Sequence, residues 1–70
     1  MKIPSMCKAI KEIKYTMESG KVVMIQKGDK FEIFDSDLDL YYLHNKKSAN
    51  PEVLNKYFTF EQAHFSENFE

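Results

Sequence analysis

The chain has 70 residues and a mass of 8.3 kDa, the size of a single small domain over 1–70. Apolar residues make up 43% and charged residues 30%, and ten lysines face eleven acids for a net charge of -1. That balance excludes a disordered chain, an overall basic nucleic-acid binder and a uniformly acidic DNA mimic. One Cys excludes an internal disulfide and a thiolate zinc cluster, and no apolar run approaches the roughly 20 residues that cross a bilayer.

Residues 5–18 carry Met6, Ile10, Ile13 and Met17 at helical spacing, with Ile3 extending the line. This pattern predicts an amphipathic N-terminal helix, started by Pro4 or Ser5 and stopped by Gly20. Its opposite face would hold Lys8, Lys11, Glu12, Lys14, Tyr15 and Glu18, with Cys7 at the boundary. Val22 to Ile25 form a β-branched run, so a first strand is predicted over 21–26, with a turn at Lys27-Gly28-Asp29. Alternation predicts a second strand over 30–35 and a third over 38–43, joined through Ser36-Asp37. In that register Phe31, Ile33, Leu40 and Tyr42 face inward, and Glu32, Phe34, Asp39 and Tyr41 face outward. Asn45 to Asn50 reads as a loop, Pro51 opens a short helical turn to Lys56, and Thr59 with Gln62 matches a capping box for a final helix over 60–67. The predicted fold is therefore α+β: an N-terminal helix packed on a three-stranded antiparallel meander, with a short C-terminal helix, in the order αβββα. Nine of the ten aromatic residues lie from Phe31 onward, so the second half should supply most of the core.

Charge runs in blocks. Residues 1–30 sum to +4, residues 31–43 to -4, residues 44–56 to +2 and residues 57–70 to -3. The expected outer face of the sheet mixes aromatics with acids, which suits a protein partner with basic character; Phe34 and Tyr41 would anchor it and Glu32 and Asp39 would steer it. A homodimer through the same face would also stabilise so small a domain. The alternative is an RNA- or DNA-binding surface on Lys8, Lys11 and Lys14 with Lys46 and Lys47. All ten basic residues are lysine, so the planar arginine fork that reads guanine is lacking.

Other constellations carry less. Asp35, Asp37 and Asp39 have the spacing that begins a calcium loop, but the turn glycine would fall at Leu40 and the bidentate Glu at Lys46. Cys7, His44 and His64 fall on separate elements, and Lys27-Gly28-Asp29-Lys30 lacks the spacing of a phosphate loop. No metal, cofactor or catalytic role is expected.

From Lys8 to Phe34 the predicted layout is similar to that of small HicA-type mRNA-interferase toxins. Those carry a catalytic His after the Gly of the turn. Here that segment reads Asp29-Lys30-Phe31, so neither the activity nor the membership carries over. With no apolar leader segment after Met1 and a lone Cys, the reading is a cytoplasmic, non-enzymatic interaction protein without membrane contact. The lysine-only, Asn- and Ile-containing composition suits an accessory or inhibitor protein of a phage or a low-GC bacterium.

Overall fold

Two periods overlap in the first twenty residues, and alternation governs the fold. Cys7 and Ala9 are buried while Met6 and Lys8 are exposed; Ile13, Tyr15 and Met17 turn inward while Lys14, Thr16 and Glu18 meet water. A computed structural model describes residues 5–70 and contains six strands. They are β1 (Ser5–Lys8), β2 (Ile13–Thr16), β3 (Val22–Ile25), β4 (Lys30–Ser36), β5 (Leu40–Lys47) and β6 (Tyr57–Glu61). A 3₁₀ turn (Gln62–His64) and one short helix, α1 (Phe65–Asn68), complete the chain.

The α+β expectation is therefore corrected. No N-terminal helix packs on a meander; residues 5–18 form two strands that belong to different sheets. The stripe of Met6, Ile10, Ile13 and Met17 is not a buried face, since Met6 is 60% exposed. Ile13, Tyr15 and Thr16 are residues whose side chains pack well on a pleated surface, and they outweigh the coincident helical spacing. Ile3 and Pro4, which the expected helix used, lie outside the described residues. The capping box also fails, because Thr59 and Phe60 continue β6 and the helix begins only at Phe65.

The main sheet has the order β1-β4-β5-β6, antiparallel throughout, and β2 and β3 form a separate hairpin. Gly20 closes that hairpin rather than ending a helix. With φ at 90° it takes the left-handed position after a tight turn, where Gly20 N–H donates to Met17 O and Met17 N–H to Lys21 O. Gly28, with φ at 94°, serves the Gln26–Asp29 turn between β3 and β4 in the same way.

The core lies between the inner face of the sheet and the hairpin laid over it. The sheet contributes Cys7, Phe31, Leu43 and Phe58, the hairpin Ile13, Val23 and Ile25, and the β5–β6 loop Val53. Each large apolar side chain sealed here contributes about 1.5–3 kcal/mol. Tyr15 locks the two layers together. Its ring meets Phe58 edge-on at 4.9 Å, and its hydroxyl oxygen accepts the Thr59 N–H at 3.0 Å.

After β6 the chain crosses back to the other edge of the sheet. Phe69 is buried against Phe31, Phe60 and Phe65, with ring centroids 4.8–5.4 Å apart. Lys8 N–H donates to Glu70 O, Glu70 N–H to Lys8 O and Ile10 N–H to Asn68 O, so residues 68–70 pair with the end of β1 at Lys8 and with the stretch that follows it. On the opposite side of the same stretch, Ala9 N–H donates to Asp29 O.

Two polar residues are built into the interior. Asn45 is fully buried, and its amide donates to Lys30 O (3.0 Å) and Lys47 O (3.3 Å) across an irregularity in the β4–β5 ladder. The buried Asp29 carboxylate accepts from Gln26 N–H (2.9 Å) and Ser48 Oγ–H (2.8 Å), tying the β3–β4 turn to the β5–β6 loop.

Candidate functional site

Strand alternation sorts the sheet into two faces. With Cys7, Phe31, Leu43 and Phe58 inward, the neighbours Met6, Glu32, His44 and Tyr57 face away from the core. These four stand abreast, because Met6 pairs with Glu32, Glu32 with His44, and His44 with Tyr57. Two bulges adjust the row. The first falls at Lys46, between the pairs Lys30–Lys47 and Phe31–Asn45; the second falls at Phe34, between Ile33–Leu43 and Asp35–Tyr42. An extra residue in a strand pushes two successive side chains to the same side. Hence Phe34 and Asp35 both emerge outward, as do Lys46 and Lys47.

The outer face then has three zones along the strands. At its centre Tyr57 packs on His44 (centroids 4.6 Å apart, planes 33° apart) and meets Phe34 edge-on at 5.6 Å. Phe34 is 44% exposed, Tyr57 64% and Met6 60%. One end is basic: Lys8 pairs with Lys30, and Lys30 with Lys47, which sets three like charges side by side. Glu70 offsets Lys8 at 3.6 Å and Glu32 offsets Lys46 at 3.1 Å. Lys27, Lys30 and Lys47 have no ion-pair partner among the described residues, and with Ser48 they border a depression of about 330 Å³. The other end is acidic, with Asp37 and Asp39 in the β4–β5 turn, Asp35 beside them and Glu61 paired opposite Leu40.

Of the predicted partner-binding residues, Glu32 and Phe34 share this face. Asp39 sits in the turn at its acidic end, and Tyr41 is turned the other way. Tyr41 packs inward against Phe65, with centroids 5.0 Å apart. The predicted register paired Ile33 with Leu40, whereas Ile33 pairs with Leu43, an odd shift that inverts every side chain of β5. Leu43 and Tyr41 thus take the inner side expected of Tyr42 and Leu40. Of the alternative set, Lys8 and Lys47 join Lys30 at the basic end, and Lys46 is engaged by Glu32. Lys14 lies on the outer side of the hairpin opposite Met24, and Lys11 in the β1–β2 connection, so these two do not join them.

Sequence reasoning missed His44, Tyr57 and Lys30. The signal for Tyr57 was present: Tyr57-Phe58-Thr59-Phe60-Glu61 alternates polar and apolar over five residues. Cys7 is on the inner face, His44 on the outer and His64 in the C-terminal crossover, so the three share no site. His64 is held between Glu67 (3.1 Å) and Glu61 (3.8 Å), and the Glu67 hydrogen bond raises its pKa above the ordinary value of 6.5. Among the described residues there is no cluster of three or more His, Cys, Asp or Glu fit to hold a metal, and no helix long and apolar enough to cross a membrane. Compared with known proteins, the chain matches no family model, no curated protein and no solved structure.

Proposed function

We propose that the protein is a non-enzymatic docking module that binds another protein through the outer face of its four-stranded sheet, inside the reducing environment of the cytoplasm. The observation that carries this reading is the Phe34–Tyr57–His44 cluster, three adjacent rings on a face that no other described element of the chain covers. The inner face already has its cover in the hairpin and the C-terminal crossover. An apolar centre flanked by charged ends is the anatomy of a contact patch. The partner is one that meets a basic end and an acidic end together, not a uniformly basic one.

The test is capture of partner protein on immobilised chain from its source cells, with wild type beside Phe34→Ala/Tyr57→Ala. Both residues are exposed enough for the variant to keep its circular dichroism. Capture is expected to fall at least about tenfold, the scale of losing an anchor worth about 1.4 kcal/mol. Capture unchanged in a folded variant removes the face from consideration.

A second reading is favoured by one observation, the lysines abreast at Lys8, Lys30 and Lys47. A single-stranded nucleic acid could lay phosphates there and bases on the adjacent rings. Its affinity would then fall with salt at a log–log slope of about -0.7 per phosphate contact. No binding at low salt eliminates it.

A further inference from the structure

The two charged ends of the outer face match each other, and the match has a geometry. Lys30 opens β4 and Lys47 closes β5, so both stand at one end of the antiparallel pair. Asp37 and Asp39 lie in the turn at the other end, about 20 Å away at roughly 3.3 Å per residue. Glu61, opposite Leu40 on β6, joins the acidic end. The aromatic cluster lies between them. Resting on the reading of this face as a docking surface, we infer that its occupant is a second copy of the chain. The copies stack face to face about a twofold axis that runs between them and across the strands.

That rotation reverses the strand direction, so the lysine end of each copy lies over the carboxylate end of the other. The contact is isologous and closes on two subunits. Each dimer makes the lysine–carboxylate juxtaposition twice, around a shared centre of Phe34, His44 and Tyr57. Stacking in the same direction would put Lys30 and Lys47 over their own counterparts, and like charges oppose it. A net charge of -1 leaves little overall repulsion between copies. A nucleic-acid strand running along the same face would meet Asp37, Asp39 and Glu61 at its far end. The alternation of charge along the face therefore fits a copy of itself better than a polyanion.

Four strands about 4.8 Å apart make a small face, so the dimer belongs to the weak class and is read at high concentration. The experiment is sedimentation equilibrium of the full chain from about 10 μM to about 1 mM. It is run at low salt and again at about 0.5 M salt, where charge is screened beyond roughly 4 Å. Wild type is expected to dimerise at low salt and to weaken at least tenfold at high salt. Lys30→Glu/Lys47→Glu makes both ends acidic, and Asp37→Lys/Asp39→Lys/Glu61→Lys makes both ends basic. Each variant alone is expected to remain monomeric, and an equimolar mixture of the two is expected to restore a dimer.

A wild type that stays monomeric at about 1 mM overturns the inference. So do reversed variants that dimerise as well as wild type, or a mixture that stays monomeric. If wild type is monomeric yet Phe34→Ala/Tyr57→Ala loses a heterologous partner, the self-pairing fails and the docking face stands. If a dimer forms and ignores Phe34→Ala/Tyr57→Ala, both fail.

Discussion

Cys7 faces the core beside Phe31, and burial pushes its thiol up to about 11 from an ordinary 9.0. The folded chain thus holds this proton over a range where the unfolded chain releases it. With fewer protons bound in the unfolded state, stability falls as pH rises, by about 1.4 kcal/mol per pH unit between roughly 9 and 11. Below about pH 9 the thiol is protonated in both states and contributes no slope. Urea unfolding midpoints across this range should decline in wild type more steeply than in Cys7→Ala; equal declines would show that the thiol is not shielded. At the same scale, Phe31 was a readable core residue, because an aromatic in an alternating run has few other places to go. Asn45 was not. Its complete burial depends on two carbonyls from β4 and β5 that meet it only once the bulge has formed.

Strand content was legible where β-branched residues cluster, as in Val22 to Ile25, and where aromatic and polar residues alternate, as in Lys30 to Phe34. Residues 22–25 and 30–36 hold strands close to the predicted spans, but the third strand runs over 40–47 rather than 38–43 and takes in Asn45 to Lys47, which read as loop, and β3 pairs with β2 rather than with β4. The sequence was ambiguous over 5–18, where hydrophobic positions satisfy both periods, and only the availability of partner strands decides between them. The candidate face was half legible for a related reason. Glu32 and Phe34 follow from β4 alone, whereas Tyr41 and Asp39 depended on a register that the Phe34 bulge shifts. Tyr15 shows what an element gains from its opponent. Among the described residues β6 pairs only with β5, and its outward backbone is closed at one point by the Tyr15 hydroxyl on Thr59 N–H. Tyr15→Phe keeps the ring contacts and loses that acceptor. The expected cost is about 1 kcal/mol in denaturant unfolding, together with faster thioflavin-positive aggregation on warming, because an open edge templates further strands. Unchanged aggregation kinetics would assign the protection of β6 elsewhere.

For the molecule as a whole, Phe69 is the residue on which closure depends. Removing its buried ring in Phe69→Ala is expected to cost about 3–5 kcal/mol. A domain of this size holds only about 3.5–10 kcal/mol in total. Urea unfolding at 25 °C should therefore lose a large share of its free energy in Phe69→Ala, whereas Phe34→Ala should change it little. An unfolding free energy in Phe69→Ala within about 1 kcal/mol of wild type would mean that the crossover is an accessory rather than part of the core. The pairing of Lys8 and Ile10 with Asn68 and Glu70 has a consequence for the order of folding. A strand near the start of the chain gains its last neighbour from residues made some sixty positions later. Local hairpins close without it, but the border at Lys8 is sealed only when residues 68–70 reach it. Such distant pairing is slow for a chain of this length. Until then the folding chain carries an unsealed border at which another strand could add.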